Sequence, residues 1–134
     1  MAAKNYGLNV FVNCPFDEEY KSTLFPAIIF TIYDCGFRAR STLEDEDGGK
    51  NRLDKIFSII KSSKFGIHDI SRTELDRDTQ LPRFNMPLEL GFFMAAKKYG
   101  AKEQKQKKCL ILDTDAHRYL SFISDIRGQD YQIS

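Results

Sequence analysis

The sequence predicts an α/β domain built on a doubly wound parallel sheet of about five strands, with helices on both faces. Short apolar runs rich in β-branched and aromatic residues alternate with longer segments whose apolar residues recur every three or four positions. The chain has 134 residues, of which 42% are hydrophobic, and this is enough for one domain with its own core. Strands that alternate with helices predict parallel pairing through right-handed crossovers.

The predicted strands are short and well separated along the chain. The first ends at Pro15, because proline cannot continue a strand ladder. A doubly wound sheet that ends on a strand lacks its last covering helix, so we expect a truncated chain or a partner that covers this edge. The predicted strands are residues 8–13, 37–43, 65–70, 109–113 and 131–133.

The predicted helices begin at polar residues that can cap them. Asp17 can cap the first helix, and Pro26 within it predicts a kink or a late start. Asn85 can cap the third helix, and Pro87 suits its first turn. The helices are predicted over residues 17–36, 53–60, 85–100 and 118–126.

Composition and charge exclude several classes of protein. Twenty Lys and Arg against 19 Asp and Glu give a net charge of +1, so we expect neither a dedicated nucleic-acid binder nor a nucleic-acid partner. No apolar run approaches the roughly 20 residues that span a bilayer, so no membrane partner is expected. Three separated cysteines without a CxxC pair predict neither disulfides nor a metal site. We therefore expect a cytoplasmic protein.

Polar residues follow the predicted strands at the edge where parallel sheets bind ligands. Glu89 lies about one turn into its helix and therefore near this same edge. Asp69 ends its strand, whereas the neighbouring His68 points to the opposite face and is expected to be a packed residue. The candidate site residues are Asn13, Phe16, Asp17, Arg40, Asp69, Ser71, Arg83, Asn85 and Glu89.

Four short motifs, in their order and spacing, resemble those of Toll/interleukin receptor (TIR) domains, especially the bacterial branch. They also resemble the related nucleoside deoxyribosyltransferase fold, which carries a similar Glu-Leu-Gly on the helix after its third strand. The similarity covers roughly residues 8–133 and implies a flavodoxin-like strand order. The motifs are VFVNCPFD at 10–17, DGG at 47–49, IHDIS at 67–71 and MPLELG at 86–91.

The resemblance implies that Glu89 is the catalytic residue. TIR enzymes cleave the bond between nicotinamide and ribose in NAD, and deoxyribosyltransferases cleave the base–sugar bond of nucleosides. Both reactions build positive charge on the sugar carbon, which a carboxylate stabilises. Because nicotinamide leaves without protonation, one carboxylate can suffice for NAD. We therefore predict an NAD glycohydrolase or cyclase, with NAD as substrate and no separate cofactor.

The resemblance also implies supporting roles. Phe16 could stack on a base or nicotinamide ring, and Asn13 and Ser71 could hydrogen-bond ribose or phosphate oxygens. Arg40 and Arg83 are candidates for pyrophosphate contacts. Such domains often serve antiphage immunity in prokaryotes, and residues 44–50 correspond to a loop through which subunits assemble, so a homo-oligomer is expected.

Two other functions remain open. One is a nucleoside or nucleotide N-glycosidase of the deoxyribosyltransferase type, and the other is a non-catalytic module that binds a nucleotide or self-associates. In the second case Glu89 would merely complement the helix dipole. The chain departs from the family pattern in its long loop at 73–84 and its missing last helix.

Three further patterns are given less weight. The DGGKNR sequence at 47–52 lacks the leading glycine and the Ser/Thr of a phosphate-binding P-loop. Cys14 has no histidine placed to activate it as a nucleophile. Residues 97–108 contain six lysines and one glutamate, which is typical of a solvated helix end, with steering of nucleotides or nucleic acid as the alternative.

Overall fold

The computed structural model describes residues 4–44, 51–72, 75–81, 83–115 and 118–128, together with the backbone of 131–133. Four parallel strands form the sheet in the order β2-β1-β3-β4, and a three-residue strand, β5, pairs in parallel with β4. The predicted α/β class and the parallel pairing are confirmed. The strands are β1 (Asn9–Asn13), β2 (Arg38–Arg40), β3 (Phe65–Asp69), β4 (Lys108–Asp113) and β5 (Tyr131–Ile133).

The segment predicted as one helix from 17 to 36 forms two helices. Thr23 separates them with a non-helical backbone (φ −123°, ψ −79°). Pro26 is the third residue of the second helix, where its missing N–H costs no hydrogen bond, so the late start is the form that the structure adopts. The helices are α1 (Glu18–Ser22), α2 (Leu24–Asp34), α3 (Arg52–Lys61) and α4 (Asn85–Tyr99).

Other element ends also differ from prediction. Asp17 caps α1 as expected, through its Oδ1 and the backbone N–H of Tyr20 at 2.9 Å. Asn85, however, is the first residue of α4 rather than its cap, and no side chain caps this helix. Residues 118–126 form two 3₁₀ turns, Arg118–Ser121 and Ser124–Ile126, instead of the predicted helix, because the non-helical backbone of Ile123 (φ −140°, ψ 58°) interrupts the segment.

The sheet has a packed core on each face because successive strand residues point in opposite directions. Val10 and Val12 pack with α1 and α2, whereas Phe11 packs with α3 and α4. A third cluster joins the far half of the sheet to the start of α4 and consists of Ile70, Met86, Leu90, Ile111 and Tyr119.

Beside α2 the sheet carries an open apolar cavity of about 570 Å³, whose lining includes Ile67, Leu110 and Leu112. Within the described ranges, no helix combines the length and the apolar character needed to span a bilayer. The same residues contain no group of three or more His, Cys, Asp or Glu side chains that could hold a metal ion.

Candidate functional site

A cleft of about 520 Å³ lies where β1 ends, between the first residues of α3 and α4. This is the edge at which parallel sheets bind ligands, and the volume is within the usual range for small-molecule sites. Part of the predicted long loop borders it. The lining residues are Val12, Asn13, Cys14, Pro15, Phe16, Thr42, Arg52, Asp76, Thr79, Leu81, Arg83, Phe84, Asn85, Met86 and Glu89.

Glu89 is the buried acid of the cleft. It is the fifth residue of α4, and only 6% of its surface is exposed. Burial raises the pKa of its carboxyl to about 7, and the positive charge of Arg52 acts weakly in the opposite direction. A helix-dipole role would leave this side chain in solvent, whereas here it is withdrawn from water and borders the cleft. The carboxyl is therefore held near the midpoint of its titration at neutral pH.

Asn13, the last residue of β1, is fixed by two hydrogen bonds. Its Nδ2 donates to the backbone oxygen of Met86 and approaches Nδ1 of His68, both at 2.8 Å. Since Nδ2 is a donor towards Met86, it also donates to His68, whose ring then carries its proton on Nε2. Both amide protons are thus used, whereas the carbonyl oxygen of Asn13 has no hydrogen-bond partner among the residues that the structure describes and can accept from a ligand.

Two arginines, one of them paired with an aspartate, line the cleft. Arg83 donates through Nη2 to Oδ2 of Asp76 at 3.1 Å, and about half of its side chain is exposed. The Asp76 carboxylate also accepts from the backbone N–H groups of Asp78 and Thr79, which closes a tight turn within the loop. These bonds hold the pKa of Asp76 below its usual value. The second arginine, Arg52, is the first residue of α3 and also lines the cleft.

Aromatic rings border the cleft at two points. Phe16 packs edge-on against Phe25 of α2, with ring centroids 5.7 Å apart, so one side of its ring is supported by the core. Phe84 precedes α4 and is largely exposed. Either ring offers an apolar face to a flat base.

Four of the predicted site residues do not line the cleft. Asp17 is occupied as the cap of α1, and Arg40 forms a 2.6 Å ion pair with Glu44. Asp69 is completely buried, where it accepts from the hydroxyl of Tyr20 at 2.7 Å and from the backbone N–H of Ser71 at 2.9 Å. Ser71 itself follows β3 outside the cleft. Asn13, Phe16, Arg83, Asn85 and Glu89 do meet there.

Cys14 borders the cleft without the properties of a nucleophile. Burial, together with the negative charges of Asp69 and Glu89, raises the pKa of its thiol to about 12. The thiol therefore stays protonated at neutral pH, as its lack of an activating histidine predicts.

Arg52, Asp76, Thr79 and Phe84 were not among the predicted site residues. The sequence does offer one indication that Arg52 could be a site residue. A positive charge in the first turn of a helix is unfavourable, because it opposes the helix dipole. Arg52 is also the last residue of the DGGKNR sequence at 47–52. Asp76 and Thr79 lie in a loop whose path the sequence does not define. The expected assembly segment, 44–50, lies outside the described residues from position 45 onward.

Comparisons with known proteins bear on the fold. No protein-family profile matches the chain, and no curated protein matches it. Among solved structures, the chain is similar to the Clostridium botulinum CMP N-glycosidase BcmB, with a TM-score of 0.57 and 13% identity. The match covers 94% of this chain and 88% of that one.

At this identity the likeness shows a shared α/β fold alone. It fits the deoxyribosyltransferase-like part of the sequence resemblance, and it does not extend to the TIR-like part. The fold and the cleft together define an α/β domain whose carboxyl-edge site contains one buried glutamate, one fixed amide and two arginines.

Proposed function

We propose that this protein is an N-glycosidase that hydrolyses the base–sugar bond of a nucleotide, with Glu89 as the catalytic carboxylate. The observation that carries the proposal is a single buried carboxyl in a cleft at the ligand-binding edge of the sheet. A carboxylate withdrawn from water interacts strongly with positive charge that develops beside it.

The reaction breaks the bond between C1′ of the sugar and the ring nitrogen of the base. The electron pair of this bond leaves with the base, and positive charge spreads over C1′ and the ring oxygen. Ionised Glu89 stabilises that charge in the transition state. Water then adds its hydroxyl group to C1′, and the departing base takes up the remaining proton of that water, so the products are a free base and a sugar phosphate.

The remaining polar groups of the cleft match the other parts of a nucleotide. The free carbonyl oxygen of Asn13 is an acceptor suited to a ribose hydroxyl, and Phe16 offers an apolar face to the base. Arg83 and Arg52 supply the positive charge that a 5′-phosphate requires. The structural likeness to a CMP N-glycosidase supports a nucleotide substrate.

The NAD-cleaving activity predicted from the TIR resemblance rests on that resemblance. NAD contains the same type of bond between a ring nitrogen and C1′, so it belongs in the substrate panel. The expected role of the protein in antiphage defence depends on the same resemblance.

The direct test is release of free base, followed by chromatography. The panel comprises ribonucleoside and deoxyribonucleoside 5′-monophosphates, the matching nucleosides, and NAD. We expect the protein to release base from a monophosphate, and Glu89→Gln to lower kcat at least 10³-fold because it removes the negative charge. Glu18→Gln, which changes an exposed acid in α1, is the matched control and should retain activity. Equal activity of Glu89→Gln and the parent protein would exclude the proposed role.

Phosphate recognition is tested with two arginines of the same loop. Arg83 lines the cleft, whereas Arg77 does not. Arg83→Ala should raise KM for the monophosphate about tenfold more than KM for the nucleoside, and Arg77→Ala should change neither.

The pH profile of kcat/KM should rise through a midpoint at about 7 as Glu89 ionises, and reach a plateau above it.

A further inference from the structure

The charge of this chain is distributed unevenly. Residues 97–108 contain six lysines and one glutamate, which is a charge of +5. Because the whole chain carries +1, the remaining residues carry −4. A nearly neutral total thus conceals one strongly basic segment, located at the end of α4 and the start of β4. Such asymmetry is typical of a surface that attracts polyanions.

Four of these lysines surround a groove of about 720 Å³. Lys97 and Lys98 come from the last turn of α4, Lys105 comes from a 3₁₀ helix at Lys102–Gln106, and Lys108 is the first residue of β4. No acidic residue lines the groove, and within the part of the chain that the structure describes none of the four forms an ion pair. Their mutual repulsion is relieved only by solvent ions or by an anionic ligand.

The groove is separate from the cleft. The two sites lie towards opposite ends of α4, and nine residues from Glu89 to Lys98 span about 14 Å along the helix axis. A nucleotide held beside Glu89 therefore does not need these lysines.

Lys107 differs from its neighbours because it has a structural role. It is completely buried, and its Nζ donates to the backbone oxygens of Ile60 and Ser63 at the end of α3. Its charge also lies over the rings of Tyr6 and Phe93, at 5.1 and 4.8 Å. Of the four lysines that surround the groove, Lys105 donates from its Nζ to the backbone oxygen of Lys98, and the structure describes no hydrogen bond from the side chains of the other three.

An exposed aromatic residue follows the basic helix end. Tyr99 comes directly after Lys98 at the end of α4, 84% of its surface is exposed, and it stands outside the set of residues that line the groove. Single-stranded nucleic-acid binding combines two components: basic side chains that contact phosphates, and aromatic rings on which bases stack.

We propose that this groove binds the backbone of single-stranded nucleic acid, with its four lysines contacting phosphates and a base that extends past the end of α4 stacking on Tyr99. The site is independent of the nucleotide cleft and of its proposed chemistry. Binding is expected to be tolerant of sequence, because phosphates and stacking carry little information about base identity. Binding at this groove does not involve Glu89.

The test is fluorescence anisotropy of the intact protein with labelled 12-nucleotide single-stranded RNA and DNA. Four phosphate contacts should weaken binding about 50-fold between 50 and 200 mM salt. Lys98→Glu/Lys108→Glu should weaken it at least tenfold, and Lys98→Gln/Lys108→Gln to a smaller extent. Tyr99→Ala should cost severalfold, and Glu89→Gln should have no effect, which separates this site from the cleft.

The matched control is Lys21→Glu/Arg127→Glu, which changes the net charge equally at exposed positions outside the groove. It should retain affinity within about twofold, with unchanged circular dichroism for every variant. Three results would overturn the proposal: absence of binding at 50 mM salt, an equal loss in the control, or equally tight binding of a polyglutamate peptide. The last result would identify an acidic protein surface as the partner instead.

Discussion

His68 fixes the orientation of the Asn13 side-chain amide. Its ring is completely buried and lies edge-on to Phe11 and Phe93, at centroid distances of 5.7 and 5.0 Å. Burial lowers the pKa of His68 to about 3, so the ring stays neutral at physiological pH and its Nδ1 remains an acceptor. In the proposed function His68 is a positioning residue: its Nδ1 accepts from Nδ2 of Asn13, which fixes the amide with its carbonyl oxygen available to a ligand.

Replacement of His68 should alter substrate preference more than fold. His68→Phe keeps the ring packing but removes the acceptor, so Asn13 can rotate. We expect KM for a ribonucleotide to rise about tenfold, with a smaller effect on the deoxyribonucleotide that lacks the hydroxyl. His68→Asn can place an oxygen near the position of Nδ1 and should restore part of the preference. Parallel KM measurements on both substrates decide this, and equal changes for the two would assign His68 a packing role only.

At the scale of elements, the site depends on how closely α4 packs on β3. Gly66 lies in β3 on the face that meets this helix. A Cβ at this position would lie 2.6 Å from Nε2 of His68 and 3.0 Å from the ring of Phe93. Both side chains are fully buried and have no space into which to move. Gly91, within α4, is exposed and has no atom within 4 Å of the corresponding position.

The two glycines should therefore respond oppositely to the same change. Gly66→Ala should lower the free energy of unfolding by about 1–3 kcal/mol, because it overpacks the contact between β3 and α4. Gly91→Ala should raise it by roughly 0.5–1 kcal/mol, because alanine is the better helix former and meets no obstacle. Urea unfolding of both variants measures this difference. Similar effects of the two substitutions would contradict the packing described here.

At the scale of the whole molecule, two buried groups make stability depend on pH in opposite directions. Between pH 6.5 and about 3, the unfolded chain protonates His68 and the folded chain does not, so stability falls as pH falls. Between pH 4.5 and about 7, the folded chain keeps a proton on Glu89 that the unfolded chain releases, so stability falls as pH rises. The two effects oppose each other from pH 4.5 to 6.5.

Removal of one group should reveal the other. In Glu89→Gln only the His68 effect remains, so its free energy of unfolding should rise by roughly 2 kcal/mol from pH 4.5 to 6.5 relative to the parent protein. Urea titrations at several pH values measure the difference, in which other titrating groups cancel. Parallel curves for the two proteins would show that Glu89 titrates normally and is not desolvated in the cleft.

The sequence by itself determined the class of fold, because that information is local. Apolar runs and helical periodicity placed β1, β3, β4 and α4 close to their observed ends. The rule that parallel strands bind ligands at their carboxyl ends then located Asn13, Phe16, Arg83, Asn85 and Glu89 on one cleft. Asn13 ends β1 and Phe16 follows it, whereas Arg83, Asn85 and Glu89 lie just before α4 or in its first five residues, so topology largely defines their position.

Tertiary structure decided the rest, because it depends on contacts between residues distant in sequence. Asp69 ends its strand as predicted, yet the Tyr20 hydroxyl holds its carboxylate away from the cleft. Arg52 enters the cleft only because α3 starts beside it. The raised pKa of Glu89 and the acceptor role of Asn13 arise from burial and from His68, 55 residues away from Asn13. Desolvation and hydrogen-bond direction exist only once the chain is packed, so no pattern in the sequence reports them.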